Sequence, residues 1–272
     1  MSDNTIAFIG AGNMASAIFG GLIEKGFAAD KLWATTSRDS SLAGPAALGM
    51  HVTTDNSLAI ANADIVVLAV KPQKLKDVLL PLQAVFAERR PLIISVAVGV
   101  EISSIERWLG HSHAIVRCMP NTPSLVQKGA AGLFANALVS DEQKRFSSEI
   151  FQAVGLSLWV DKEKQIDTVA AVSGSGPAYF FLLIEAMTNA GVNLGLERNV
   201  AEQLTLQTAI GAAQMAIASD VDAAELRRRV TSPAGTTEAA IKSFESNNFA
   251  ANVDTALHAA TQRAAELAKL LT

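Results

Sequence analysis

The chain has 272 residues, of which 50% are hydrophobic and 18% are charged, and its formal net charge is -4. At about 150 residues per domain, this length corresponds to roughly two domains, and the composition excludes a disordered chain. The small negative charge argues against a nucleic-acid-binding surface, which needs clustered basic residues. It also argues against an electrostatic membrane anchor.

The cysteine count and the N-terminus bear on the compartment. Cys118 is the single cysteine, which excludes an intrachain disulfide framework and favours a reducing compartment. The first ten residues, MSDNTIAFIG, have neither the basic start nor the apolar stretch of a signal peptide. Pro177 and Glu185 interrupt the best candidate for an apolar run of about 18 residues. We therefore expect a soluble, cytoplasmic protein that binds neither nucleic acid nor membrane.

The four histidines are scattered along the chain, and no cysteine cluster accompanies them. A tetrahedral zinc site needs several nitrogen or sulfur ligands that converge, so we expect no metal site. His111 and His113 belong to a short polar stretch, GHSH, and we expect both of them in a solvated loop.

Short β-branched runs alternate with helix-like stretches over the first half of the chain. The runs are continuously apolar, which is typical of parallel strands buried on both faces. The predicted strands are Ile6–Ile9, Leu32–Thr36, Ile65–Val70, Leu92–Val98 and Ile115–Cys118. The predicted helices between them are Asn13–Lys25, Asn56–Asn62, Lys74–Phe86 and Ile102–Leu109, and a weaker strand–helix–strand pattern follows over Ala130–Asp161. This alternation predicts an α/β fold with a Rossmann-type doubly wound sheet.

Beyond about residue 162 the strand patterns disappear, and the chain becomes rich in Ala, Leu, Gln and Glu. The predicted helices are Pro177–Ala190, Glu197–Ser219, Thr237–Asn247 and a last one from Phe249 to Leu271. The first of these is apolar almost all round, which predicts a buried helix. We therefore predict a dinucleotide-binding domain over residues 1–162 and an all-α domain over residues 163–272. Helices this apolar also suggest that part of the core is completed by another subunit.

The first predicted strand leads directly into GAGNMA and a helix, which is the G-x-G-x-x-G/A dinucleotide fingerprint in its required context. In this motif Gly10 permits the tight turn, Gly12 lets the backbone approach a pyrophosphate, and the small Ala15 lets the helix pack closely. The exposed N–H groups and the helix dipole favour phosphate groups. The alternative is a glycine-rich turn that only packs a helix on the sheet.

The end of the second predicted strand distinguishes the two nicotinamide cofactors. A basic residue with hydroxyl groups suits the 2′-phosphate of NADP, whereas an acidic residue suits the ribose hydroxyl of NAD. Ser37 and Arg38 fit the first description, because a hydroxyl and a guanidinium both donate to phosphate. Asp39 follows them and fits the second. We favour NADP, with a surface arginine that starts the next helix as the alternative.

Two further loops follow predicted strands. Lys71 precedes Pro72 after the strand Ile65–Val70, where it could contact the cofactor ribose or simply start a helix. Asn121 lies in a stiff loop between Pro120 and Pro123 after the strand Ile115–Cys118. That loop suits either an active-site wall or a plain turn.

Two motifs lie in the predicted helical part. The SGSGPA run beginning at Ser173 could let substrate or cofactor approach the backbone, or could merely begin a helix. The run TSPAGTTE over residues 231–238 ends in a helix whose N–H groups at Thr236, Thr237 and Glu238 suit a small carboxylate. The alternative is an ordinary capped helix in which Glu238 completes a cap around Gly235.

The motifs FIGAGNM, AVKPQ, RCMPNTP, AVSGSGPAY and VTSPAGTTEAAI, in this order, resemble those of the pyrroline-5-carboxylate reductase family, over essentially the whole chain. The resemblance implies NADPH-dependent reduction of Δ1-pyrroline-5-carboxylate to L-proline, by hydride transfer from nicotinamide C4 to the imine carbon C5. NADPH is the expected donor and NADH the alternative one. It also implies a homodimer formed through the helical domain and assembled into a larger homo-oligomer such as a decamer.

The resemblance implies a role for individual positions. The cofactor-binding residues would be Ile9, Gly10, Ala11, Gly12, Asn13, Met14, Ser37, Arg38, Asn56, Ala69, Val70, Lys71, Pro72, Ser95, Val96, Ala97 and Asn121. The substrate-binding residues would be Ser173, Gly235, Thr236 and Thr237. Of these, Thr237 would be catalytic and would reach the ring nitrogen. Ala234 stands where many relatives have glycine. The competing hypotheses are another NADP-dependent imine or β-hydroxyacid reductase and a non-catalytic NADP-sensing protein.

Overall fold

The computed structural model describes residues 4–37 and 42–271. The described residues form two compact units: one runs to Ser175 and includes those from Ala259 onward, and the other is Gly176–His258. The domain boundary predicted between residues 162 and 163 stays a prediction.

The first unit is built on an eight-stranded sheet in the order β3-β2-β1-β4-β5-β6-β7-β8. The strands are β1 (Ile6–Ile9), β2 (Leu32–Thr35), β3 (His51–Thr53), β4 (Ile65–Leu68), β5 (Leu92–Ser95), β6 (Ile115–Met119), β7 (Gly129–Ala135) and β8 (Gly155–Trp159). Neighbouring strands in the described sheet are parallel except for β6 and β7. The order reverses direction between β1 and β4, as in a doubly wound sheet. The predicted fold class is confirmed.

The helices of this unit cover both faces of the sheet. They are α1 (Asn13–Glu24), α2 (Ala43–Ala47), α3 (Asn56–Ala61), α4 (Pro72–Leu79), α5 (Gln83–Arg89), α6 (Ile102–Leu109), α7 (Asp141–Gln152) and α8 (Gln165–Val169). On one face Phe8 of β1 contacts Phe19 of α1, with ring centroids 5.6 Å apart. On the other face, Ile9 joins a buried cluster with Leu75 of α4 and Phe86 of α5. The strands are therefore buried on both faces, as their continuous apolar pattern predicts.

Several element bounds differ from the prediction. The helix predicted over Lys74–Phe86 is two helices, because Pro81 lies in the 3-10 turn between α4 and α5 and has no N–H to continue the first one. The short β3 was not predicted, since His51 is exposed and the strand is only three residues long. His113 is buried rather than solvated, so that expectation was wrong for this residue.

The second unit consists of helices. They are α9 (Gly176–Asn193), α10 (Arg198–Ala218), α11 (Ala223–Arg229), α12 (Thr236–Ser246) and the beginning of α13 (Phe249–Leu271). The prediction of a buried helix over Pro177–Ala190 was wrong for the single chain. Phe180, Phe181 and Leu182 of α9 are 66%, 64% and 67% exposed. Contiguous exposed apolar surface of this kind marks an interaction site.

One helical run in the described part of the chain, Gln165–Asn193, is long and apolar enough to cross a membrane by length and composition alone. Its most apolar 18-residue window has a mean hydropathy of 1.4. Pro177 and Glu185, treated above as interruptions, both lie within this run. The core helices of water-soluble proteins pass the same test, so this property does not by itself indicate a membrane span.

His113 precedes β6 and is only 3% exposed. Its ring meets the Phe86 ring edge-on, with centroids 5.9 Å apart, and its Nε2 has no hydrogen-bond partner among the described residues. Burial, with smaller contributions from Arg90 and His111, lowers the pKa of His113 below its usual value. The folded chain therefore holds this imidazole in its neutral form.

We expect His113 to make folding sensitive to acid. The unfolded chain takes up a proton at the ordinary histidine pKa of about 6.5, while the folded chain resists protonation to lower pH. This contribution to stability is complete above about pH 6.5 and is lost as the pH falls through the lower pKa of the folded state. Urea midpoints at pH 7.5 and pH 5.5 should differ less in His113→Gln than in the wild type. His258→Gln, at an exposed histidine, should keep the wild-type difference. An unchanged difference in His113→Gln would contradict this expectation.

Candidate active site

The carboxyl ends of four neighbouring strands meet where the strand order reverses. The Ala69 N–H donates to the Ile9 carbonyl at 2.9 Å, and the Gly10 N–H donates to the Thr35 carbonyl at 3.2 Å. The Val96 N–H donates to the Leu68 carbonyl at 3.2 Å. These bonds bring the predicted cofactor segments 9–14, 69–72 and 95–97 to one edge of the sheet. In doubly wound folds the ligand crevice lies at this edge.

Gly10 has a conformation and surroundings that require glycine. Its φ is +99°, and a β-carbon there would lie 2.8 Å from the Ala69 carbonyl oxygen. The buried Thr35 hydroxyl fixes the same turn, because it donates to the Phe8 carbonyl and accepts from the Gly10 N–H, both at 3.3 Å. Gly10 therefore serves the turn itself, as the fingerprint predicts.

Gly12 is glycine for a different reason. It is the N-cap of α1, and a β-carbon there would meet no atom of the described chain within 4 Å. No side-chain hydrogen bond caps α1 within that same part of the chain, and its first turn carries no acidic residue. The fully buried Ala15 lets the helix pack closely on the sheet. Open space above Gly12 beside uncapped N–H groups fits a pyrophosphate.

The adenosine side of the predicted site is only partly described. Ser37 is exposed just beyond β2, whereas Arg38 lies outside the described residues. Asn56 is half-buried and opens α3 after β3, which pairs with β2. Asp55 caps that helix by accepting from the Ser57 N–H at 2.8 Å. Asn56 is thereby fixed on the same side of the crevice as Ser37.

Lys71 and Ser95 flank the other side of the crevice. Lys71 is exposed and is the N-cap residue of α4, with Pro72 in the first turn. This geometry agrees with both interpretations of the lysine. Ser95 ends β5 and is buried, and its hydroxyl accepts from the Ala97 N–H at 3.4 Å. That bond shapes the short turn at Val96, which the resemblance assigns to the nicotinamide side.

Asn121 and Ser173 are brought together. The buried Asn121 amide donates to the Ser173 carbonyl and accepts from the Ala130 N–H, both at 2.9 Å. The Ser173 hydroxyl donates to the Val169 carbonyl at 3.0 Å. Both side chains are thus engaged within the chain, and Asn121 joins the loop after β6 to the SGSG run.

In the second unit, the predicted carboxylate-binding turn forms the start of α12, with Gly235 as N-cap. Glu238 reaches back from the first turn, as the capping alternative expects, but its carboxylate accepts from the Ala234 N–H at 2.8 Å rather than from Gly235. Lys242 lies 3.0 Å from the same carboxylate. Lys242, and then the Ala234 N–H, lower the pKa of Glu238. Ala234 has a φ of +57°, which explains why glycine is favoured at this position.

Sequence reasoning missed a buried ion cluster in the first unit. Arg117 lies on β6, and its Nη1 is 2.9 Å from a Glu163 oxygen while its Nη2 is 3.9 Å from Asp167. The available signal was an arginine inside an apolar strand, IVRCM. Burial raises the pKa of Asp167, and the Arg117 charge partly offsets that rise. Within the described ranges no group of three or more His, Cys, Asp or Glu side chains could hold a metal ion.

Comparison with known proteins gives two family matches. Residues 163–267 match the family described as pyrroline-5-carboxylate reductase dimerisation. Residues 5–99 match the family described as NADP oxidoreductase, coenzyme F420-dependent. Together these matches cover the cofactor crevice and the helical region.

Full-length relatives are also found. The pyrroline-5-carboxylate reductase of Pseudomonas aeruginosa is 55% identical, over 100% of this chain and 99% of its own length. The solved pyrroline-5-carboxylate reductase of Coxiella burnetii has a TM-score of 0.94 and 48% identity, over 98% of this chain and 99% of that one. The Plasmodium falciparum pyrroline carboxylate reductase, solved with NADP bound, has a TM-score of 0.86 and 31% identity over the same shares.

The two fingerprint glycines should respond differently to substitution. Gly12→Val should weaken NADPH binding by at least about tenfold, or about 1.4 kcal/mol, with little change in Tm, because its side chain enters only the open space. Gly10→Ala should lower both the NADPH affinity and the Tm, because Gly10 has a positive φ and lies close to Ala69. Gly20→Ala within α1, where a β-carbon also meets nothing, is the control and should retain binding. NADPH titration and thermal unfolding measure these effects, and wild-type NADPH affinity in Gly12→Val would refute the cofactor assignment.

Proposed function

The chain belongs to the pyrroline-5-carboxylate reductase family, and on this premise we propose that it reduces Δ1-pyrroline-5-carboxylate to L-proline with NADPH. The resemblance drawn from the five sequence motifs is confirmed. The observation that carries the proposal is the 55% identity over the whole chain to a reductase of this name. The crevice geometry agrees with it, because the turn at Gly12 fits a dinucleotide.

The reaction needs positioning more than a strong acid or nucleophile. When bound, NADPH supplies a hydride from nicotinamide C4. The substrate is a cyclic imine, and once protonated its C5 accepts hydride readily, while the ring nitrogen keeps the proton as the amine of proline. The residues of the chain therefore hold the two reactants in register, which is the main source of rate for such a step.

We assign the substrate to the start of α12. The first-turn N–H groups at Thr236 and Thr237, next to Gly235, suit the substrate carboxylate, and the Thr237 hydroxyl would orient the ring nitrogen. A carboxylate in the same turn would oppose a bound anion, and the pairing of Glu238 with Lys242 reduces that opposition. The resemblance also assigns Ser173, in the first unit, to the substrate.

We assign the cofactor to the crevice of the first unit. The segment from Ile9 to Met14 would hold the pyrophosphate, and the segment from Ser95 to Ala97 would face the nicotinamide. Ser37 and Arg38 would bind the 2′-phosphate and give the preference for NADPH. Asn121 would act through the loop it braces, since its amide is already bonded on both sides.

We further propose a cytoplasmic homodimer formed through the helical region and assembled into a larger homo-oligomer such as a decamer. The dimerisation match over residues 163–267 and the exposed apolar face of α9 support the dimer. The full-length relatives are named pyrroline-5-carboxylate reductases. This argues against the competing hypotheses, which are another imine or β-hydroxyacid reductase and an NADP sensor.

Loss of NADPH absorbance on addition of Δ1-pyrroline-5-carboxylate tests the activity. We expect rapid oxidation of NADPH and slower oxidation of NADH at equal concentrations. Faster oxidation of NADH would keep the reductase and overturn the assignment of Ser37 and Arg38. If the folded protein binds NADPH but does not oxidise it when a pyrroline substrate is added, the proposed function is overturned.

Thr237→Ala should lower kcat by roughly 100-fold, the lower end of what a proton-handling group contributes, with little effect on the Kd for NADPH. Thr237→Ser keeps the hydroxyl and should retain most of the activity, which makes it the matched control. Steady-state kinetics and NADPH titration of both variants provide the measurement. Equal losses of turnover and of NADPH affinity in Thr237→Ala would remove the assigned role.

A further inference from the structure

We propose that Arg117, with Glu163 and Asp167, is a positioning group that fixes Ser173 and the turn around it for the imino acid. This inference rests on the proposed function, which assigns Ser173 to the substrate. None of the three charged side chains is among the predicted cofactor or substrate residues. They form an ion cluster, named here the Arg117 cluster, within the first unit.

Burying the Arg117 cluster has an energetic cost. The side chain of Arg117 is 4% exposed, and those of Glu163 and Asp167 are 29% and 18% exposed. One guanidinium faces two carboxylates, so the cluster carries a net charge of -1 when all three are ionised. Buried ion clusters of this kind are often no more stable than apolar side chains of the same volume. Stability alone therefore does not explain why the chain places an arginine inside an apolar strand.

The Arg117 cluster connects β6, α6 and the segment that includes α8. One Glu163 oxygen accepts from Arg117 Nη1 at 2.9 Å and from the Ile102 N–H, the first of α6, at 2.8 Å. Asp167 lies four residues further on, within α8. The guanidinium thus holds the segment that enters α8 and the helix itself, and it ties both to β6 and α6. Contacts at two positions four residues apart, one before the helix and one within it, fix both the place and the rotation of a short helix.

Helix α8 leads into the turn that contains Ser173. It continues into a π-helical turn, Ala170–Gly174, closed by the Ser175 N–H bonding to the Ala170 carbonyl at 2.8 Å. Ser173 lies in this turn. Turns of this type are rare and occur frequently at functional sites, where they aim side chains that a regular helix would direct elsewhere.

The far end of the same turn is also held in place. The Asn121 amide holds the Ser173 carbonyl. A β-carbon at Gly174 would collide with the Met119 side chain, so the turn lies directly against the end of β6. Arg117 and Met119 project from the same face of β6, because alternate residues of a strand do. One strand therefore fixes the turn at its start through charge and at its end through close packing.

The Arg117 cluster also lies next to the strand that ends in the segment assigned to the nicotinamide. Arg117 is the register partner of Ser95 on β5, and register partners on neighbouring strands direct their side chains to the same face. Ser95 begins the segment assigned to the nicotinamide. Arg117 is therefore the cross-strand neighbour of the segment Ser95–Ala97, and its cluster holds the helix that leads to Ser173.

An arginine suits this role better than a lysine. The guanidinium is a planar fork that can donate to two carboxylates at fixed angles, whereas an ammonium is a point charge on a flexible chain. The contact with Asp167 is the looser of the two, at 3.9 Å. Burial raises the pKa of Asp167, and the Arg117 charge partly offsets that rise. Asp167→Asn therefore removes the charge that faces Arg117 and keeps the size of the side chain.

The test uses the full-length protein and the variants Asp167→Asn, Arg117→Lys and Arg117→Met. Each is measured for kcat and KM with Δ1-pyrroline-5-carboxylate, for NADPH Kd and for Tm. Hydrogen exchange of a peptide covering residues 165–176 is measured as well. The matched control is Arg145→Met on α7, an exposed arginine paired with Glu142 and Glu149, which should behave as the wild type.

We expect kcat/KM for the imino acid to fall by roughly tenfold or more in Asp167→Asn and Arg117→Lys, as small displacements of a positioned group do. The Kd for NADPH should stay within about twofold of the wild type, since the fingerprint turn is untouched. Arg117→Lys should retain more activity than Arg117→Met. Exchange in residues 165–176 should become faster in every cluster variant and stay unchanged in Arg145→Met.

Unchanged kcat/KM and unchanged exchange in Asp167→Asn and Arg117→Lys would overturn the inference. A fall in kcat/KM that only follows the losses in Tm and NADPH affinity would also overturn it, because that is the pattern of a structural ion pair. If Arg117→Met fails to fold, the other two variants decide. If the wild-type protein does not turn over the imino acid, the proposed function fails, and hydrogen exchange still decides whether the Arg117 cluster holds the turn.

Discussion

The close approach of Gly10 to Ala69 is the constraint on which the cofactor side of this molecule depends. It lets β1 end in a tight turn against β4, so that α1 starts directly above the reversal of strand order. A β-carbon at Gly10 would lie 2.8 Å from the Ala69 carbonyl oxygen, so a side chain there would push these two strand ends apart. The turn at Gly10 leads directly to Gly12, above which the space is open.

The proposed function uses the N-terminus of a helix twice, in different electrostatic settings. At α1 the first turn has no acidic side chain, so the partial positive charge is available to a doubly charged pyrophosphate. At α12 the carboxylate of Glu238 already occupies the first turn, and Lys242 lies beside it. The carboxylate that the proposed function assigns to α12 would therefore meet a weaker positive potential than a pyrophosphate at α1.

The sequence predicted the order and type of most elements of the first unit, because strands buried on both faces leave a continuous apolar pattern that needs no partner to recognise. The strand ends were placed up to three residues too far, as at Val98, since the apolar run continues into loops that line the crevice. The fingerprint was predictable because its glycines act through local geometry. The Arg117 cluster was not, because Glu163 is 46 residues away in sequence and nothing local marks the pair. Arg38, on which the choice of cofactor rests, lies outside the described residues.

The error over α9 has a physical cause that bears on the whole protein. A helix that is apolar all round predicts burial, but the pattern cannot say which chain supplies the cover. In the single chain Phe180, Phe181 and Leu182 remain largely exposed, and this region matches a family described as pyrroline-5-carboxylate reductase dimerisation. Burial of apolar surface contributes about 25 cal/mol for each Å². Burying these side chains therefore contributes a large fraction of the free energy of unfolding of a small helical unit. In the proposed dimer, folding of this unit and association of the subunits are thermodynamically linked, so the stability of the unit depends on protein concentration.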